Sequence, residues 1–275
     1  MHGRRKLLVV GIDGARADTM AAVARRPHGA LAALMRRGCF TFEARSVPLT
    51  VSGPAWASAL TGGWIGKHGV RDNEFREHRL DDYPHFMTRL RRIAGGHRTA
   101  SIVNWAPINQ HMLGPGDADV AEEHASDATV CARAVALLRE DADLDALFVH
   151  LDEVDAWGHR AMYSSWSPFY WRVALRADRM LGAMLAALGA RPTRHEEDWL
   201  VVTTSDHGGR WFGHGADDEA NRRVHFVVGG DSAARGPLGA AVSVVDLAAT
   251  CLHHLGVALD PAWDLDGVVR GHLTA

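Results

Sequence analysis

The sequence has few cysteines, no long apolar run and no strong excess of either charge. Cys39, Cys131 and Cys251 are odd in number, far apart and outside any CxxC pair. That excludes a disulfide scaffold and predicts reduced, mostly buried thiols. No stretch approaches the roughly 18 apolar residues of a membrane span. The most apolar helical pattern, around 173–188, is interrupted by Arg176, Asp178 and Arg179. Lys and Arg number 30 and Asp and Glu 33, a net charge of −3. No broad basic surface for nucleic acid or an anionic membrane is indicated, although a local basic patch is compatible with that balance. There is no internal repeat and no low-complexity linker. The basic start and the run Leu7–Ile12 imitate a signal peptide, but the run is short and Asp13 ends it. A buried first strand accounts for it better. We expect a cytoplasmic protein with no membrane partner and no nucleic-acid polymer partner.

What is present is ordinary globular material. The 275 residues, 47% hydrophobic and 23% charged, suffice to bury roughly 75% of the unfolded surface. We expect a single domain over 1–275 with a minimal cap. Short runs rich in Val, Leu and Ile predict strands at 6–12, 99–103, 144–151, 199–204 and 225–228. Their near-continuous apolarity is that of strands buried on both faces. Helical periodicity is seen at 17–37, 54–60, 84–94, 125–139, 167–188 and 244–255. This alternation predicts a three-layer α/β/α sandwich with a mainly parallel sheet. The loop-rich stretch 103–124 reads equally as a lid or as a long surface loop.

In such sheets ligands bind beyond the carboxyl ends of the strands. Asp13 follows the first strand. Asp152, Glu153, Asp155 and His159 follow the strand ending at Leu151. Asp206 and His207 follow the strand ending at Thr204, with His214 a short way on. Asp155 and His159 are spaced to share a helix face. Carboxylates crowded at one edge repel, and divalent cations remove that penalty. Three Asp and three His are enough for two catalytic sites with open positions. The 17 histidines gain meaning only through that spacing. Ser52, just before Pro54, falls at a helix N-terminus, where an anion is favoured. It reads as an N-cap by itself and as a metal-activated nucleophile beside these ligands. Backbone N–H groups near Gly53 are candidates to meet the substrate's charge. Trp64, Trp105, Trp166, Trp171 and Trp211 read mostly as core or loop anchors. Trp105 and Trp211, after predicted strands, are the candidate substrate contacts among them.

With these residues in place, the chain resembles the alkaline phosphatase superfamily, and most of all its nucleotide pyrophosphatase/phosphodiesterase-like branch. The resemblance runs in order through Val9–Gly14, Ser52-Gly-Pro54, Thr61-Gly62, His68–Asn73, Asp155–His159, Ser205–Gly208, Gly213–Gly215 and Val244–Val257. It implies two divalent metals, zinc first, with manganese or iron as alternatives. Asp155, His159 and His214 would hold one. Asp13, Asp206 and His207 would hold the other, within reach of the nucleophile Ser52. Asn73 matches a residue near the substrate. Asp152 and Glu153 are candidates to contact a ligand histidine from outside.

Departures from the pattern matter. The branch usually carries Thr where Ser52 stands, and Thr50 is spaced wrongly to replace it. Its Asn after the motif proline is Ala55 here. Ser52-x-Pro54 is also similar to the sulfatase signature, but Trp56 stands in place of its Arg. Asp13 is followed by Gly14 rather than a second Asp. The implied activity is hydrolysis of phosphoric esters through a phospho-serine, on a small or nucleotide-like diester or pyrophosphate. A phosphomonoesterase, phosphonate hydrolase or phosphomutase on the same scaffold is the alternative, and a sulfatase or a non-catalytic metal-binding protein the minor ones. Arg16, Lys67, Arg71 and Arg160 are the cations near the motifs that a monoester dianion would need.

Overall fold

A computed structural model describes residues 3–93, 96–239 and 241–273. Eight strands are present among the described residues: β1 (Arg4–Ile12), β2 (Gly38–Arg45), β3 (Arg98–Val103), β4 (Val120–Glu123), β5 (Leu144–Leu151), β6 (Glu197–Thr204), β7 (Arg223–Gly230) and β8 (Gly236–Pro237). They form one sheet in the order β4-β3-β5-β1-β6-β7-β2-β8. It is mostly parallel; β7 runs antiparallel to both β6 and β2.

The layering follows from strand alternation. Leu7 and Val9, Ala146 and Phe148, and Leu200 and Val202 point into one apolar cluster. The helices Ser52–Thr61, Phe86–Ile93 and Asp246–His254 complete it. Leu8 and Val10, Leu147 and Val149, and Val201 point to the opposite face. There the helices Ala17–Ala24, Ala30–Arg36, Asp127–Glu140 and Pro168–Gly189 cover the sheet. The result is the expected three-layer α/β/α sandwich. The three cysteines are free and buried.

Several local expectations need correction. The single helix expected over 17–37 is two, Ala17–Ala24 and Ala30–Arg36. Pro27 lies between them; it lacks an N–H and cannot continue a helix. β2 begins where that helix was expected to end. β4 carries the acidic sequence VAEE with alternate residues exposed, so it has no apolar run to announce it. Stretch 103–124 holds β4 and the helix Pro107–Met112. The helix expected over 84–94 is seen as Phe86–Ile93, and Ala94 lies outside the described residues.

Parallel pairing sets the functional edge. Gly11 is level with His150 on one side and Thr204 on the other. The chain therefore leaves β1, β5 and β6 at one height, and the residues immediately after the three strands converge.

Candidate active site

Asp13, Asp206 and His207 are brought together, their ligand atoms all within 4.8 Å of one another. His207 Nε2 lies 3.2 Å from Asp206 Oδ2 and 3.5 Å from Asp13 Oδ1. Asp155, His207 and His214 form a second group of the same compactness. His159 adjoins it, with Nε2 3.0 Å from His214 Nε2 and 3.4 Å from Asp155 Oδ2. Asp155 and His159 share a face of the helix Glu153–Ala161. The structure thus brings all six residues to one place, with His207 between the two groups; its ring stacks on His214 at 3.9 Å.

Hydrogen bonds orient these groups. His207 Nδ1 donates to Gly208 O at 2.7 Å, His214 Nδ1 to Thr50 O at 2.7 Å and His159 Nδ1 to Phe212 O at 2.9 Å. A carbonyl only accepts, so each Nδ1 carries a proton; neutral His207 and His214 rings then offer an Nε2 lone pair to the centre, whereas His159 Nε2 is engaged by Asp155. Asp13 Oδ2 accepts from Trp56 Nε1 at 2.8 Å and from His150 Nε2 at 3.1 Å. Asp206 Oδ1 accepts from Gly14 N at 3.1 Å. The other oxygens, Asp13 Oδ1 and Asp206 Oδ2, are buried and accept no hydrogen bond. Tyr163 donates to Asp155 Oδ1. Gly14 has a φ of +62°, and a Cβ there would lie 2.4 Å from Asp155 Oδ1. Only glycine lets β1 turn so close to the second group.

Lone pairs facing one another without protons between them repel. Burial, then the charges of Asp206 and Asp155, push the Asp13 carboxyl well above its usual range. Burial and the charge of Asp155 do the same to Asp206. Burial also acts on Asp155, but its hydrogen bond with His159 and the nearby His207 and His214 outweigh that and hold it at about 2. The same hydrogen bond raises His159 to about 9, while burial lowers His214 to about 4. Orphaned carboxylate oxygens and bare imidazole nitrogens form an N/O donor set that fits divalent transition metals.

Ser52 is the first residue of its helix, and its hydroxyl lies 3.3 Å from His207 Nε2. Gly53 needs correcting as a substrate contact. Its N–H donates to Asn73 Oδ1 at 2.8 Å, Pro54 has none, and Ala55 N–H is held by Val51 O. A Cβ on Gly53 would also meet Asp72 O at 2.4 Å. That contact occupies Oδ1 of Asn73 and not its Nδ2 donors. Thr50 is an anchor: its carbonyl holds His214, and its hydroxyl donates to Ala216 O and accepts from Gly215 N.

Glu153 turns away from the ligand histidines, pairing with Arg176 at 3.0 Å. Asp152 groups with Asp13 and His150, and burial raises it to about 7. Trp105 is half-buried against Phe75 and His150, whereas Trp211 is exposed. Sequence reasoning missed three residues that orient the ligands. His150 left a signal, as a histidine interrupting the apolar run of β5. Trp56 and Tyr163 left none, since their partners come from other elements.

Residues 7–113 match the family described as type I phosphodiesterase/nucleotide pyrophosphatase. That stretch includes Asp13, Ser52 and Asn73, but not the candidate ligands from 155 to 214. No curated protein matches the chain in sequence. Among solved structures, the murine ectonucleotide pyrophosphatase/phosphodiesterase 5, an inactive variant in complex with AMP, matches at 16% identity with a TM-score of 0.74. The match covers 95% of this chain and 99% of that one. A protein solved with its substrate D-glucosamine-2-N,6-O-disulfate matches at 15% identity and TM-score 0.74, over 98% of this chain and 79% of that one. A 2-O glycosaminoglycan sulfatase matches at 15% identity and TM-score 0.74, over 97% and 73%. The chain therefore has the alkaline phosphatase-like fold, and it is similar to the type I phosphodiesterase/nucleotide pyrophosphatase family over residues 7–113.

Proposed function

We propose that this protein is a two-metal phosphoester hydrolase acting through Ser52, with a small or nucleotide-like phosphodiester or pyrophosphate as substrate. The observation that carries the reading is the pair of buried carboxylate oxygens, Asp13 Oδ1 and Asp206 Oδ2, left bare beside Ser52 and His207. Asp13, Asp206 and His207 would hold one cation, and Asp155, His159 and His214 the other. Zinc suits the donor set, and manganese or iron could replace it. Bound divalent cations would supply Lewis acidity, favouring the ionised serine and offsetting charge on the phosphoryl oxygens.

The remaining work falls to the chain. Ser52 Oγ attacks phosphorus in line, forming a phospho-serine ester as the bond to the leaving alcohol breaks. Water then cleaves that ester and restores the hydroxyl. Asn73, joined to Gly53 beside the nucleophile through Oδ1, would donate from Nδ2 to a nonbridging oxygen. It would substitute for the amide missing at Ala55. Trp56 and His150 hold Asp13 so that Oδ1 faces the centre.

A diester is favoured over a monoester by where the cations lie. Arg16 is bound to Asp18 and Gly209 O, and Lys67 to Asp264 and Asp266. Arg71 and Arg160 are exposed. Arg16 and Lys67 are thus committed elsewhere and are not free to meet a dianion's extra charge. Sulfatases share the fold, but Trp56 is buried and committed to Asp13 where their signature has Arg.

The test is steady-state hydrolysis of bis-p-nitrophenyl phosphate and p-nitrophenyl phosphate by metal-loaded protein. The diester should be preferred. Ser52→Ala should lower kcat by on the order of 10⁴-fold or more while metal content by mass spectrometry stays full. Near wild-type turnover in Ser52→Ala would remove the serine from the mechanism.

A further inference from the structure

Seven large hydrophobic residues are exposed among those described, and four are aromatic and flank the ligand histidines: Trp166 at 90%, Trp211 at 65%, Phe212 at 59% and Phe169 at 52%. They lie on elements that are tied to one another. Trp157, on the helix Glu153–Ala161 that carries His159, stacks on Phe169 of the next helix at 5.6 Å and 11°. Trp166 stands in the turn between these helices. The loop of Trp211 and Phe212 is tied on through Tyr163 N–H to Trp211 O at 2.7 Å and His159 Nδ1 to Phe212 O at 2.9 Å. Trp211 takes a φ of 55°, a position costly for a bulky residue.

Charge is arranged in the same way. Arg160 lies three residues beyond Trp157, and Arg172 three beyond Phe169, so each helix shows an aromatic and an arginine on one face. Both arginines are exposed, and neither has a salt-bridge partner among the described residues. Neighbouring acids are engaged elsewhere: Glu153 with Arg176, Asp217 with Arg222, Glu219 with Arg45. Arg210, beside Trp211, faces Asp218. Exposed Trp and Phe with long cationic side chains beside them suit a lipid–water interface. There indole and phenyl rings enter the headgroup layer and arginines meet lipid phosphates.

We propose that these exposed aromatics and arginines dock the protein on an anionic lipid surface, which would bring headgroup phosphodiesters near the candidate metal centre. The docking is independent of the chemistry at Ser52. Only its consequence, that headgroup phosphodiesters are presented to the site, rests on the proposed function.

The test is co-sedimentation of the full chain with vesicles of phosphatidylcholine alone and of equal parts phosphatidylcholine and phosphatidylglycerol. Binding should favour the anionic vesicles, weaken with salt and move tryptophan emission to shorter wavelength. Trp166→Ala and Phe169→Ala should each lower partitioning roughly tenfold, and Arg172→Ala about fivefold. Trp166→Ala should leave hydrolysis of soluble bis-p-nitrophenyl phosphate unchanged. The proposal is overturned if anionic vesicles are not bound, or if Trp166→Ala and Phe169→Ala bind as wild type. It is also overturned if sedimentation equilibrium shows a dimer that Trp166→Ala dissolves, which would give the face to a second copy. Vesicle binding without any diester turnover would remove the proposed function and leave the docking surface standing.

Discussion

The two ends of the same three strands handle buried carboxylates in opposite ways. Where β1, β5 and β6 begin, Asp145 and Glu197 are met by protein cations. Lys6 Nζ lies 3.6 Å from each, Arg191 Nε 2.9 Å from Glu197, and Arg4 Nε 2.9 Å from Asp145. Where the strands end, Asp13 and Asp206 have no arginine or lysine partner among the described residues. Burial would raise Glu197, but hydrogen bonds from Arg191, Trp199 and Thr193 bring it down to about 2, while Asp13 and Asp206 are pushed well above their usual range. One end satisfies its charges within the chain. The other carries electrostatic cost that a bound cation would remove. Burial is shared, so the supply of positive charge is what separates a structural cluster from a candidate centre.

Substitution at the closed end should give the largest stability effect. Glu197→Gln should destabilise the fold by about 3–5 kcal/mol, because Arg191 is left buried without its carboxylate and Lys6 keeps only Asp145; urea denaturation reads this directly. The pH dependence has a definite sign. The folded pKa of Glu197 lies below its unfolded value. Its contribution is therefore complete above the ordinary glutamate range and lost as pH falls through that range toward about 2. Wild type should lose stability across this acid window, and Glu197→Gln should lose less.

At the open end the same kind of change should have the opposite sign. Asp206→Asn should make the metal-free protein more stable, by about 1 kcal/mol, through relief of carboxylate crowding. It should also remove the part of the zinc stabilisation that comes from the Asp13–Asp206–His207 site, of order 3 kcal/mol at a hundredfold excess over Kd. Thermal melts with zinc and with chelator measure both. A destabilised metal-free Asp206→Asn would break the contrast between the ends. Trp56→Phe should give the smallest change. It removes one donor from Asp13 Oδ2 and keeps the ring, so zinc affinity should fall roughly 10- to 100-fold, as read by competition with a chromophoric chelator.

Much of this was legible in the chain. All five predicted strands are present because each is a short continuous apolar run, the pattern that burial on both faces demands. The six candidate ligands were legible because carboxylates and imidazoles directly after such strands have one edge to occupy. Other features were hidden for equally physical reasons. β4 pairs at an edge and needs no apolar run. The break at Pro27 was masked by helical periodicity on both sides of it. His150 and Trp56 act on Asp13 only because pairing places β5 beside β1 and a helix packs over both.

The sequence by itself determined the layered α/β plan and the converging set of Asp, His and Ser, because strand burial and residue order are written into it directly. Only the tertiary structure decided which oxygen of Asp13 is held and which is left bare. It alone showed that Gly53 N–H is occupied by Asn73, that His207 stands between two candidate ligand groups, and that Trp166, Phe169, Trp211 and Phe212 are exposed. These are relations between side chains far apart in sequence, and packing alone sets them.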